Sequence, residues 1–261
     1  MRSMNLLWVT IFLCINTIAQ VKFDRNGIKT TMSSEDSAKA ITQDTLKNLT
    51  ITHLIGDYFI FTTYKLIQGS VFPSNGMYVV TDIGVVLFDT PWDTSQFQPL
   101  LDSIEFRHHK KVISSISTHF HDDRTAAVNY YNDKGIKTYS SKLTFDLCKE
   151  KGENQPAFYF DKDTTFNFGK HLFQTFYPGE GHSKDNIVIW CPNEKILYGG
   201  CLVKSTENNN LGYINDANLE EWPHSVKKVI KKFLNPVFVI PGHFGWGSKR
   251  GLQHTLKLLK K

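Results

Sequence analysis

Apolar positions along the chain fall into short strand-type runs separated by polar, glycine-containing turns, and the runs recur in the same order in both halves. After a polar stretch over 24–39, runs at 49–54, 58–66, 77–81 and 85–89 read as successive strands. An amphipathic segment with Leu100, Leu101, Ile104 and Phe106 follows, then a buried-type strand at 112–117 and a helical stretch over 124–132. In the second half, strand runs occur at 157–160, 165–168, 171–177, 186–190 and 195–199. A helix with Leu219, Trp222, Val226, Val229, Ile230 and Phe233 at three- and four-residue spacing comes next, then a strand at 237–240. The terminal helix carries Leu252, Leu256 and Leu259, with Ser248 as its predicted N-cap. Two β-meanders, each followed by helix, strand and helix with no Gly/Ser or Pro-rich linker between them, predict an α/β fold. The expected form is a four-layer αβ/βα sandwich, with two mixed β-sheets face to face and helices on the outer faces. It is expected as a single domain over 20–261, in which 20–45 is a polar, partly disordered stretch.

The first 19 residues follow a different rule. Arg2 precedes the apolar run from Leu6 to Ile15, and Thr17-Ile18-Ala19 offers small residues at the −3 and −1 positions of a cleavage site, the pattern of a secretory signal peptide. The run is short of the roughly 20 apolar residues that span a bilayer, so no stable membrane insertion is expected after cleavage. A periplasmic location follows. Of four cysteines, Cys14 leaves with the leader, and an odd number of thiols in an oxidising compartment leaves one without an intramolecular partner. Metal ligation would give that thiol a defined state. Cys148 and Cys191 read as buried free thiols.

Composition, with 41% hydrophobic and 21% charged residues, is that of a globular protein. The net charge of +5 comes from 30 Lys+Arg interspersed with 25 Asp+Glu, so no basic stripe argues for nucleic acid.

Candidate ligands cluster just downstream of predicted strands: His119-Phe120-His121-Asp122-Asp123, then Gly181-His182, Gly200-Cys201 and Pro241-Gly242-His243. His119 and His121 are two apart, so in extended backbone both leave on one side and can grip one ion while Phe120 points away. His182 would complete three imidazoles with a fourth position open, the arrangement of a catalytic zinc. Asp123, Cys201 and His243 offer a carboxylate, a thiolate and an imidazole, a set that favours zinc over magnesium or calcium. Singly these residues say little. Asp123 could equally cap a helix beginning at Arg124. Together they point to one rim of the sandwich.

In this order, His119-x-His121-x-Asp123, Gly181-His182, the run from Gly199 to Ser205 and Pro241-Gly242-His243 resemble the class B metallo-β-lactamases of subclass B1. The resemblance runs from about Leu49 to the C-terminus and takes in Pro73-Ser74-Asn75-Gly76, Leu87-Phe88-Asp89, Pro91-Trp92-Asp93, the run from Lys184 to Val188 and His254-Thr255-Leu256. Thioesterases, nucleases and glyoxalases share the His-x-His-x-Asp element, but they usually have a histidine after the aspartate. Here Arg124 stands there, and Cys201 replaces an oxygen ligand. The resemblance implies two zinc ions per chain, the first held by His119, His121 and His182 and the second by Asp123, Cys201 and His243. It also implies hydrolysis of the β-lactam amide of penicillins, cephalosporins and carbapenems by a metal-bound hydroxide, conferring antibiotic resistance. Asp123 would orient the nucleophile, Lys204 would pair with the substrate carboxylate, and Asp89 would support the site by hydrogen bonding. Tyr213, the other substrate-facing residue, falls where many members have an asparagine that helps hold the lactam carbonyl. Residues 64–75 are expected to form a mobile hairpin over the site, with Ile67, Val71 and Phe72 as apolar contacts. β-Lactam antibiotics are the expected partners of a monomer.

Other readings stand beside this one. A thioesterase- or glyoxalase-like zinc hydrolase would share the dinuclear logic, and Cys201 argues against it. A non-catalytic exported zinc-binding protein would have no need of Lys204 or an open metal position. A serine β-lactamase is suggested only by Ser225-x-x-Lys228, and no Lys-Thr-Gly follows.

Overall fold

The computed structural model describes residues 49–260, together with the backbone of two short strands, β1 (Val21–Phe23) and β2 (Lys29–Thr31), which pair antiparallel. The predicted leader over 1–19 and most of the stretch over 20–45 lie outside the described residues.

Seven strands form the first sheet in chain order: β3 (Thr50–Ile55), β4 (Tyr58–Ile67), β5 (Ser70–Thr81), β6 (Gly84–Phe88), β7 (Val112–Ile116), β8 (Lys137–Ser141) and β9 (Phe158–Phe160). The first four run antiparallel, and the last three add in parallel. Five strands form the second sheet: β10 (Thr165–Phe168), β11 (His171–Phe176), β12 (Val188–Cys191), β13 (Ile196–Gly200) and β14 (Phe238–Pro241), with only β13 and β14 parallel. Both sheets are mixed, as the meanders predict.

Burial defines the layers. Ile60, Met77, Val79, Phe88 and Ile116 of the first sheet pack against Phe173, Ile189, Ile196, Tyr198 and Ile240 of the second. On the outer face of the first sheet lie α1 (Phe97–His108) and α3 (Val128–Asp133), with Phe97, Leu100, Ile104 and Tyr131 filling the contact, while the short α2 (Asp122–Thr125) sits at the rim and α4 (Lys142–Lys151) packs beside β8 and β9. On the outer face of the second, α5 (Trp222–Lys232) and α6 (Arg250–Leu258) insert Trp222, Val226, Val229 and Leu252. The result is the four-layer αβ/βα sandwich. Central strands such as β6 and β13, covered on both faces, are buried at every position.

Several expected details come out differently. The run at 157–160 belongs to the first sheet, because β9 pairs in parallel with β8, a strand that with α4 extends the first half beyond the repeated plan. Phe106 is 86% exposed, since it lies 200° round the helix from the buried Ile104. Ser248 is not the cap of α6. Gly247 bonds back to Val239 of β14, fixing the entry of the chain, and Lys249 takes the cap position without a side-chain bond. Asp123 does not cap either, because the helix begins one residue earlier, at Asp122.

Residues 64–75 are continuous with the sheet. β4 and β5 stay in register to Ile67 and Ser70, and Gln68 and Gly69, both at positive φ (48° and 80°), close a two-residue turn that suits the strand twist. Ile67 and Phe72 line the cavity described below. Val71 does not, since alternation along β5 turns it to the face opposite Phe72.

Candidate metal centre

Four strand ends and their loops meet on one rim. β7 leads through Ser117 and Thr118 to the three-ligand segment, β11 to His182, β13 to Cys201 and β14 to His243. The alternation expected around Phe120 holds: its ring enters a small cluster with Leu147 and Cys148, while both neighbouring histidines face the site.

Two groups of donor atoms result. His121 Nδ1 lies 3.1 Å from His119 Nε2 and 3.2 Å from His182 Nε2. Beside them, Asp123 Oδ2, Cys201 Sγ and His243 Nε2 form a triangle with edges of 3.3, 3.3 and 3.0 Å. The other carboxylate oxygen of Asp123, Oδ1, is 3.8 Å from His119 Nε2, so the groups adjoin. Burial drives His119 and His182 well below the ordinary histidine value, and His243 is lowered too, with Asp123 pulling the other way. All three rings are therefore held in the neutral form a metal requires. Burial opposes the charge on Asp123, yet the Arg124 guanidinium bonded to it outweighs this and holds the carboxyl well below its ordinary range. The Cys201 thiol is pushed up by burial, so a metal would have to displace its proton.

Hydrogen bonds fix the tautomers. His243 Nδ1 donates to the Pro73 carbonyl at 2.8 Å, which leaves Nε2 unprotonated and aimed at Asp123 and Cys201. Two converging sets of buried or half-buried donors fit metal ions, one all-nitrogen and one mixed, in which Cys201 would give up its proton on binding.

Arg124 holds the mixed group from below. Fully buried, it donates through Nε and Nη2 to Asp123 Oδ2 (3.0 and 2.8 Å), through Nη1 to the Asn75 carbonyl (2.6 Å) and Asp89 (3.3 Å), and through Nη2 to the Gly242 carbonyl (2.8 Å). Gly242 has to be glycine, because a Cβ there would stand 2.6 Å from Cys201 Sγ and 2.7 Å from Arg124 Nη2. Asp89, at φ 63°, also accepts from Thr118 N and Oγ1 (2.7 and 2.9 Å) and from Tyr198 Oη (2.7 Å). Burial pushes its carboxyl up to about 6, against these donors. It supports the site by anchoring Thr118, next to His119, and Arg124. Asn75 ties the sheets together at the rim, donating to the Pro241 and Phe244 carbonyls at 3.1 and 2.7 Å.

Above the donors opens a cavity of about 760 Å³, walled by Ile67, Phe72, Trp92, Val203 and Leu211 and reached by His121, Asp123, His182, Lys204, Tyr213 and His243. Lys204 is buried, with Nζ 5.2 Å from the centre of the Trp222 ring and no carboxylate partner among the described residues. Burial lowers its pKa, with Cys201 and Asp123 opposing. Tyr213 is 55% exposed, and its hydroxyl donates to Asp216 Oδ2 at 3.0 Å. Ser225 lies elsewhere, buried with its hydroxyl on the Glu180 and Pro178 carbonyls, so it is no nucleophile of this cavity. Cys148 and Cys191 are buried and free, as expected.

The residues named from sequence as ligands thus come together in the two expected groups. Asp216, whose Oδ2 is 3.2 Å from His121 Nε2, has no motif that could have announced it. Arg124 was visible only as a family marker, not as the hub joining Asp123, Asp89 and two backbone carbonyls.

Fold and site together define a metal-binding enzyme of the αβ/βα sandwich type. The family model described as the metallo-beta-lactamase superfamily matches residues 69–243. The metallo-beta-lactamase type 2 of Elizabethkingia meningoseptica is 39% identical over 211 residues, 81% of this chain and 85% of that protein. The type 2 enzyme of Bacillus sp. (strain 170) is 37% identical over 252 residues, 95% of this chain and 96% of its own length. Among solved structures, a metallo-beta-lactamase from Pontibacter korlensis superposes with a TM-score of 0.80 at 36% identity, covering 82% of this chain and 100% of that one. The chain belongs to the metallo-beta-lactamase superfamily, and its type 2 relatives place it with the subclass B1 enzymes.

Proposed function

We propose that the protein is a dizinc β-lactamase that opens the lactam amide of penicillins, cephalosporins and carbapenems and so confers resistance to them. The observation that carries this reading is the pair of adjoining three-donor groups beneath one cavity, His119, His121 and His182 beside Asp123, Cys201 and His243. His119, His121 and His182 would hold the first ion, and Asp123, Cys201 and His243 the second. When bound, such ions supply a water acidified to a pKa of about 7 and a Lewis acid for the lactam carbonyl.

The chain's own residues supply the rest. Asp123 Oδ2 is engaged by Arg124 and Cys201, which leaves Oδ1 to hold a proton of the attacking water. Lys204 is a buried ammonium in want of an anion, and the carboxylate that most bicyclic β-lactams carry would pair with it in the cavity. Phe72, Trp92 and Leu211 exclude water around the bound ring system. The leader-like residues 1–19 support export to the periplasm, where the enzyme would meet its substrates as a monomer.

The test is hydrolysis of a penicillin and a carbapenem by the purified protein, with and without a chelator and with a clavulanate-type inhibitor that must acylate a serine. Chelation should abolish turnover while the inhibitor has little effect. Inhibition by the acylating agent with indifference to chelation would overturn the reading.

A further inference from the structure

His121 differs from the other two imidazoles of its group. The rings of His119 and His182 are held by burial, their side chains all but inaccessible, and their Nδ1 atoms have no hydrogen-bond partner among the described residues. The His121 side chain is 15% exposed at the cavity wall, so its outer edge can be reached by a polar partner. Its outer nitrogen, Nε2, lies 3.2 Å from Asp216 Oδ2, and the same oxygen accepts from Tyr213 Oη at 3.0 Å. The Tyr213 ring also stands edge-on against the imidazole, centroids 5.4 Å apart and planes at 87°.

An ionised carboxylate only accepts hydrogen bonds, so the proton between Asp216 and His121 belongs to Nε2. That fixes the tautomer. Nδ1, turned toward His119 and His182, keeps its lone pair. Tyr213, three residues before Asp216, holds the carboxylate from its other side and braces the ring.

We propose that Asp216 and Tyr213 act as a positioning pair for His121, and that in this chain the Tyr213 phenol serves the first donor group in place of a substrate carbonyl. The proposal rests on the reading that His119, His121 and His182 hold a metal ion. Carboxylate partners of ligating histidines contribute about ten- to a hundredfold to metal affinity. Asp216→Ala should cost that much at the three-histidine site alone. Asp216→Asn, which keeps an acceptor oxygen without the charge, should cost less. Tyr213→Phe should cost roughly three- to tenfold, the size of one ordinary hydrogen bond.

The experiment is titration of chelator-treated full chain with cobalt(II) alone, against a competing chelator. Ligand-field absorption reports both sites, and thiolate-to-metal charge transfer reports the site containing Cys201. The expected result is weakened first-site binding in the order Asp216→Ala, Asp216→Asn, Tyr213→Phe, with the charge-transfer midpoint and the melting temperature of the metal-free chain unchanged. Wild-type affinity at the first site in all three variants would overturn the proposal. So would an equal loss at both sites, which marks general damage to the loop. A wild-type chain that binds no cobalt would instead overturn the ligand reading beneath it.

Discussion

Replacing Arg124 by lysine keeps the charge and removes the fork, and the structure says what that should cost. The guanidinium reaches two carboxylates and two backbone carbonyls at once, with Nη1 to Asn75 and Nη2 to Gly242 the carbonyl contacts and both Nε and Nη2 on Asp123. A lysine ammonium is a single point with three donors and cannot span that set. One charge-assisted bond lost costs about 1.5–3 kcal/mol, and one buried carbonyl left unpaired about 1–3 kcal/mol, so a loss of about 2.5–6 kcal/mol is expected. That is a large share of the roughly 5–15 kcal/mol of a typical domain. The assay is urea unfolding of metal-free wild type and Arg124→Lys, metal being removed so that ligand binding does not mask the difference. With a slope of about 3 kcal/mol/M, the midpoint should fall by about 0.8–2 M. A loss under about 1 kcal/mol would mean that Arg124 acts only as a neutralising charge and that its geometry is incidental.

Cys201→Ser should bind about one zinc per chain at limiting metal, since the thiolate serves one donor group only; retention of both ions at wild-type affinity would exclude Cys201 as a ligand. Lys204→Ala should raise KM more than it lowers kcat on carboxylate-bearing substrates, because that pairing is already present in the ground state, and an unchanged KM would count against it. Far from the site, Asp57 Oδ2 sits 3.0 Å from both Lys170 Nζ and His171 Nε2. Burial tends to raise its pKa, but bonds from Lys170 and His171 leave it lowered. Its contribution is therefore present above the unfolded value of 3.8 and lost as pH falls through the folded one. Asp57→Asn should cost under about 1 kcal/mol at pH 7, Asp57 and Lys170 being exposed, and progressively less as pH falls below 3.8; a cost independent of pH would refute the electrostatic origin.

Strands and the residues that gather at the rim were legible in the sequence because both follow short-range rules. Continuous apolar runs such as the one in β6 mark buried strands, and the two-residue spacing of His119 and His121 survives in the structure. What the sequence hid depends on long-range packing. β8 gives little strand signal, for Thr138 and Ser140 are buried where that signal wants aliphatics. The N-terminal part of β5 holds Pro73 and Gly76, residue types that break a strand pattern. In the fold the Pro73 carbonyl accepts from His243, and Gly76 leaves room for the Phe61 ring, 1.9 Å from where a Cβ would be. Asp216 is separated from His121 by 95 positions, and nothing local links a loop carboxylate to a histidine that far away.

The central claim is that turnover depends on two metal ions held by these six side chains. Its most direct test is to strip the protein of metal, verify the removal, and follow carbapenem hydrolysis while zinc is added back with bound metal counted alongside. Activity should be absent in the stripped protein and return to a plateau as bound zinc reaches about two ions per chain, the capacity of the two donor groups. Full activity in verified metal-free protein, or two bound ions with no β-lactam hydrolysis, would contradict the account.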